Sequence, residues 1–78
     1  MDLSLLITAG IPPAWQNLML MGKLYELEKM VRQDRAEDLL KRFALYEKRD
    51  VAVNGFSKGM KQRLQICMDL ISEPQVLL

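Results

Sequence analysis

The 78-residue chain has no histidine, one cysteine and only 6% aromatic residues. Without histidine, Ser-His-Asp catalysis and Cys₂His₂ zinc sites are excluded. Cys67 alone cannot close an internal disulfide, which excludes a disulfide-stabilised secreted domain and fits a reducing compartment. No apolar run approaches the roughly 18 residues of a membrane-spanning helix, and the acidic Asp2 does not suit a secretory signal. These absences predict a cytoplasmic protein.

The chain also lacks a large excess of charge of either sign, because eleven basic and ten acidic residues leave a net charge of +1. A nucleic-acid-binding protein gains most of its affinity by neutralising phosphates, so this balance argues against one. A small helix-turn-helix protein that uses Lys58, Lys61 and Arg63 is therefore a weak alternative. The length allows one small domain, whose core supplies only about 3–5 kcal/mol without a partner or a covalent link.

Apolar spacing predicts an all-α bundle of three main helices, at about residues 13–27, 29–44 and 57–73. Residues 3–8 form an apolar stretch that is either a short helix or a strand. Pro12 and Pro13 break it and start the first main helix. Gly22 lies within that helix and indicates close packing against a neighbour. Pro74 ends the third helix.

The middle helix shows the clearest pattern. Its apolar stripe consists of Ala36, Leu39, Leu40 and Phe43. Two acidic residues are each followed four residues later by a basic one, which pairs Glu37 with Lys41 and Asp38 with Arg42. The simplest interpretation of the basic residues is a solvated face, made of Arg32, Arg35, Lys41 and Arg42. The stripe of the third helix consists of Met60, Leu64, Cys67, Met68 and Ile71.

Residues 56–63 break the local rules for a helix start. Acids are preferred in a first turn, yet this segment carries Lys58, Lys61 and Arg63, with no acid between Asp50 and Asp69. Gly59 costs roughly 0.8–1 kcal/mol relative to alanine in a helix. Ser57 is a good N-cap residue. Together these features describe either an anion site or a solvated basic face with an incidental glycine.

The sequence NGFSKGMKQRL at residues 54–64 resembles the signature motif of ATP-binding cassette (ABC) transporter ATPases. The usual motif is Leu-Ser-Gly-Gly-Gln, then one residue and Gln-Arg. Residues 70–78 (LISEPQVLL) resemble the end of the signature helix and the start of the Walker B strand. Segments at 15–18, 24–25, 35–40, 43–45 and 49–50 resemble the family's helical subdomain. The resemblance covers most of the chain, from Pro13 to Leu78.

Two departures concern the motif itself, in which Lys58 replaces the first glycine and Met60 replaces the glutamine. Both variants resemble the drug- and antibiotic-export branch of the family. No Walker A loop of the Gly-x-x-x-x-Gly-Lys-Ser/Thr kind is present. The Walker B aspartate, the catalytic glutamate and the switch histidine are missing as well. We therefore expect a single helical subdomain fragment, with a divergent segment at 1–11 and a shortened strand at 75–78.

In the family the signature of one nucleotide-binding domain closes on ATP held by the Walker A loop of another. The resemblance thus implies a non-enzymatic chain that contacts the γ-phosphate of ATP in trans, in a composite site with magnesium. The site residues carried over from the motif are Phe56, Ser57, Lys58, Gly59, Met60, Gln62 and Arg63. No metal ligand is expected among them. The implied partners are a complete ATP-binding subunit and a membrane subunit, near which the chain would lie peripherally.

A second hypothesis treats the chain as a self-associating interaction module without a nucleotide role. Without a sheet domain beside them, apolar helix faces are exposed, and such patches favour association. A dimer is the expected form. Trp15 is either part of a groove for a membrane subunit or ordinary core, and the methionines and Cys67 are expected to be core residues.

Overall fold

A computed structural model describes residues 12–72, which form three helices around one core. Helix α1 spans Ala14–Leu24, α2 spans Lys29–Arg42 and α3 spans Lys58–Leu70. Two short 3₁₀ turns, Tyr46–Lys48 and Val53–Gly55, lie between α2 and α3. The all-α prediction is confirmed. The apolar stretch at residues 3–8, expected to be a short helix or a strand, and the strand expected at 75–78 lie outside the described residues.

Each helix ends two or three residues earlier than predicted, and α1 and α2 end in the same way. Glu26 and Ala44 take a positive φ, at 62° and 59°. The next amide then reaches back five residues, from Leu27 to the Gly22 carbonyl (2.9 Å) and from Leu45 to the Leu40 carbonyl (2.8 Å). This is the Schellman arrangement, which glycine usually serves. Because neither position is glycine, the sequence gives no stop signal there.

The core lies where the predicted stripes meet. Its fully buried side chains come from all three helices and from the turn after α2, and they include Leu18, Leu39, Leu40, Leu45, Cys67 and Ile71. Phe43 and Met60 are only partly buried at the edge of the core. Trp15, Met19 and Met21 also pack against it, so ordinary core packing accounts for these side chains.

Two arginines connect α2 and α3, each by a hydrogen bond to the C-terminal end of the other helix. Arg63 donates from Nη1 to the carbonyl of Phe43, just after α2, at 3.1 Å. Arg35 donates from Nη1 to the carbonyl of Ile71, just after α3, also at 3.1 Å. The last carbonyls of a helix lack intrahelical partners and carry partial negative charge, so each cation stabilises the end of the neighbouring helix.

The interpretation of the middle helix as carrying a simple solvated basic face is wrong for Arg35, and the aliphatic part of Arg32 is partly buried. Arg35 caps α3, as described, and Arg32 packs against Gly22 of α1. A β-carbon built on Gly22 would lie 2.8 Å from the Arg32 Cβ, so the expected close packing at Gly22 is confirmed. The predicted ion pairs also form, with 2.9 Å between Lys41 and Glu37 and the same distance between Arg42 and Asp38.

Replacing Ala44 with glycine should raise the free energy of unfolding by about 1 kcal/mol, because glycine adopts a positive φ without the steric penalty of a β-carbon. Ala44 is exposed, so no packing is lost. Urea denaturation of both proteins measures the difference. A variant less stable than the parent would contradict the assigned helix end.

Candidate functional site

Ser57 is the N-cap of α3 and forms the centre of the candidate site. Its backbone is extended, and its Oγ accepts a hydrogen bond from the Met60 amide at 3.2 Å. The Ser57 carbonyl accepts the first helical bond, from the Lys61 amide, at 2.9 Å. The capping role predicted for Ser57 is thus present in the structure.

The amides of Lys58 and Gly59 find no acceptor among residues 12–72. Both residues are exposed, and both lie in the first turn of α3, at its positive end. A β-carbon built on Gly59 would meet nothing within 4 Å. The three residues Ser57, Lys58 and Gly59 therefore form an accessible group of donors of the kind that binds phosphate.

The remaining residues carried over from the motif lie around this group in different environments. Lys58, Lys61 and Gln62 are exposed, Met60 is partly buried and Phe56 is buried in the core. Phe56 thus anchors the motif to the bundle. Arg63 is directed elsewhere, to the Phe43 carbonyl, and also lies 3.5 Å from the Gly59 carbonyl. The structure therefore commits Arg63 to a hydrogen bond within the bundle and leaves Lys58 and Lys61 as the exposed cations at the start of α3.

The loop before the motif, residues 49–53, is attached to the start of α1. The amides of Ala14 and Trp15 donate to the carbonyls of Val51 (3.3 Å) and Arg49 (2.8 Å). Pro13 forms an isolated antiparallel bridge with Ala52. The first amides of α1 thus gain partners that lie about 35 residues away in sequence. Local sequence rules give no sign of this attachment.

Asn17 is a buried polar residue that neither the apolar spacing nor the signature motif indicates. It is 1% exposed, and its side-chain amide donates to the carbonyls of Pro12 (3.1 Å) and Pro13 (3.0 Å). Asparagine is a weak helix former, so an asparagine inside an apolar helix face is the signal that could have found it.

Comparison with known proteins gives the family. The family model described as ABC transporter matches residues 9–78. The chain belongs to the ABC transporter ATP-binding family. The signature resemblance at residues 54–64 lies within the matched range, as does the whole of the three-helix bundle.

Individual family members are identical to this chain at about two in five of the aligned residues. The ABC transporter ATP-binding protein NatA of Bacillus subtilis is 42% identical over 65 residues, which cover 83% of this chain and 26% of NatA. The daunorubicin resistance ATP-binding protein DrrA3 of Streptomyces coeruleorubidus is 42% identical over 62 residues, 80% of this chain and 20% of DrrA3. The doxorubicin resistance ATP-binding protein DrrA of Mycobacterium tuberculosis is 39% identical over 61 residues, 78% of this chain and 18% of DrrA.

The chain spans about a quarter or less of the length of these ABC relatives. No solved structure matches it. None of the helices within residues 12–72 is both long and apolar enough to cross a bilayer. The same residues contain no group of three or more His, Cys, Asp or Glu side chains that could hold a metal ion.

Cys67 should react slowly with alkylating reagents in the folded protein. Its Sγ lies 3.7 Å from the Leu39 carbonyl in the core, and burial raises the pKa of the thiol to about 11. The reactive thiolate is therefore a minor species at pH 8. Iodoacetamide labelling, followed by mass spectrometry, should be much faster in denaturant. Equal rates in folded and unfolded protein would contradict the burial.

Proposed function

We propose that this chain provides the signature half of a composite ATP site and contacts the γ-phosphate of ATP bound to a second polypeptide. The 78 residues include no Walker A sequence, so the nucleotide is expected to be held by the partner. For the same reason we expect no ATP hydrolysis by the purified chain alone. The proposed partner is an ATP-binding subunit, and a membrane subunit would keep both at the membrane surface.

The residues of the α3 N-terminus have distinct proposed roles. The Ser57 hydroxyl accepts from the Met60 amide and still has its own proton, which it can donate to a phosphate oxygen. The Gly59 amide donates a second hydrogen bond. Lys58 and Lys61 attract the negative charge from exposed positions. A hydrogen bond from such donors to a charged phosphate is worth about 1.5–3 kcal/mol.

The observation that carries this proposal is the empty space around Gly59. Gly22 must lack a β-carbon because Arg32 packs against it, whereas a β-carbon built on Gly59 would meet nothing within 4 Å in residues 12–72. Glycine at this helical position lowers stability without serving the fold. A ligand that approaches the backbone from outside would give a physical reason for a glycine there.

The test uses two substitutions at Ser57 that both keep an N-cap acceptor. Ser57→Asp adds a negative charge that suits the helix dipole and repels phosphate, whereas Ser57→Asn adds no charge. Purified NatA with magnesium and a non-hydrolysable ATP analogue serves as the nucleotide-holding partner. We expect the chain to bind NatA only with nucleotide, Ser57→Asn to bind more weakly, and Ser57→Asp not to bind.

Circular dichroism should show that both Ser57 variants remain folded. Gln65→Ala is the matched surface control, because Gln65 is exposed on the same helix and bonds only to Asp69 in the described part of the chain. We expect this control to bind like the parent. An affinity for NatA that is the same with and without nucleotide, or that Ser57→Asp leaves unchanged, would refute the proposed contact.

The exposure of apolar side chains at the turn between α1 and α2 favours self-association as a second candidate. Leu24, Tyr25 and Met30 are all more than half exposed there. We expect that a dimer formed through this turn would dissociate when Leu24 and Met30 are both replaced by lysine. Sedimentation at increasing concentration tests this, and a constant monomeric mass would eliminate the candidate.

A further inference from the structure

The carbonyl of Pro12 joins the start of α1 to the segment that leads into the signature motif. It accepts a hydrogen bond from the Asn17 side-chain amide at 3.1 Å and another from the Val53 backbone amide at 3.3 Å. A carbonyl oxygen has two lone pairs, so both donors can be served at once. Asn17 and Val53 are thus held in place relative to each other through one atom.

Both protons of the Asn17 side-chain amide are used in hydrogen bonds at this junction. The second proton of its Nδ2 is directed to the Pro13 carbonyl at 3.0 Å, and the residue is 1% exposed. Its amide therefore fixes two successive carbonyls, those of Pro12 and Pro13. Removing the amide would leave a buried junction without its central donors, which is more costly than losing an exposed hydrogen bond.

A short series of contacts leads from this junction to the phosphate-binding donors. Val53 begins the 3₁₀ turn Val53–Gly55, and its carbonyl accepts from the Phe56 amide at 2.9 Å. Phe56 is buried in the core, and Ser57 follows directly as the N-cap of α3. The location of the Val53 amide therefore limits where Ser57 and the first amides of α3 can lie.

We propose that Asn17 is a positioning residue for the signature motif, acting through the Pro12 carbonyl and Val53 on the amides of Lys58 and Gly59. This inference rests on the proposed function for its consequence, which is weaker contact with phosphate. Asn17 does not itself touch the ligand. It belongs to α1, outside the signature, and its contribution is to hold the loop that presents the donors.

Two substitutions interrupt the junction from opposite sides. Asn17→Asp has nearly the same shape but faces two carbonyl oxygens with a carboxylate that cannot donate. Val53→Pro removes the N–H that bonds the Pro12 carbonyl and replaces a side chain that is partly buried against the core. Proline is compatible with this site because Ala52 has φ −58° and ψ 138°, and Val53 is the first residue of a 3₁₀ turn. Ile71→Val is the control, since it removes one buried methylene at the opposite end of α3.

The first measurement is the two-dimensional amide NMR spectrum of the full chain without nucleotide. We expect Asn17→Asp and Val53→Pro to shift the peaks of Lys58 and Gly59, and Ile71→Val to leave them in place. Unmoved peaks in both junction variants, or equal movement in the control, would overturn the inference. If Asn17→Asp fails to fold, Val53→Pro is judged by the same criterion.

The second measurement is nucleotide-dependent association with NatA. We expect each folded junction variant to bind roughly tenfold more weakly than the parent, which corresponds to about one lost hydrogen bond. Ile71→Val should bind like the parent. Junction variants that shift the peaks yet bind like the parent would overturn the positioning role. Failure of the parent to bind would overturn the proposed function alone, because the spectra report the amide positions without nucleotide.

Discussion

Replacing Gly59 with alanine should raise the free energy of unfolding by about 0.5–1 kcal/mol and abolish ATP-dependent association. Alanine restricts the unfolded chain and is the best helix former, so stability rises wherever the site accepts a β-carbon. At Gly59 that β-carbon meets no atom within 4 Å. Under the proposed function, the same methyl group should hinder a phosphate oxygen from approaching the Gly59 backbone. Urea denaturation and NatA binding measure the two effects.

The same substitution at Gly22 is the internal control and should have the opposite sign. A β-carbon at Gly22 lies 2.8 Å from the Arg32 Cβ, so α1 and α2 must move apart. Such overpacking costs about 1–3 kcal/mol. A Gly59→Ala variant that is less stable than the parent, or that binds ATP-loaded NatA normally, would show that the glycine has no phosphate-related role.

Replacing Leu64 with alanine should unfold much of the population at room temperature. Leu64 is 2% exposed in the core, and truncating a buried leucine costs about 2–5 kcal/mol. A core of this size supplies only about 3–5 kcal/mol in total. Ile66 lies two residues away on the same helix and is 44% exposed, so Ile66→Ala should cost under about 1 kcal/mol.

Far-ultraviolet circular dichroism during thermal unfolding distinguishes these two α3 variants. The expected result is a large loss of helical signal at 25 °C for Leu64→Ala and a near-parental transition for Ile66→Ala. Similar transitions for both would mean that α3 does not bury the face assigned to it. They would also remove the basis for placing Ser57 and Gly59 at its exposed N-terminus.

The fold was largely predictable because apolar spacing and local ion pairs are local properties. Leu39 and Leu40, with Leu64 and Cys67, occupy the stripes that the spacing indicates. The helix ends were less predictable, since Glu26 and Ala44 take a conformation that sequence rules reserve mainly for glycine. Their positive φ is maintained by the backbone bonds and by the burial of Leu45.

The candidate site also contains some features that local sequence predicts and others that depend on the packing of the bundle. The Ser57 cap and the unusual Gly59 were visible from residue type and position alone. The sequence places Arg63 beside Lys58 and Lys61 as a cation for an anion site, but in the structure it caps α2 through the Phe43 carbonyl, 20 residues away in sequence. The Asn17 junction depends on Pro12 and Val53 meeting in space, which only the packed bundle determines.

The measurement that tests the central claim most directly is NMR mapping of the isotope-labelled chain bound to NatA. Spectra are recorded with NatA alone, and with NatA, magnesium and the non-hydrolysable ATP analogue. We predict nucleotide-dependent shifts concentrated at the amides of Ser57, Lys58 and Gly59, with little change at Gln65 and Asp69. Shifts confined to the turn between α1 and α2, or identical with and without nucleotide, would contradict a phosphate-binding signature motif.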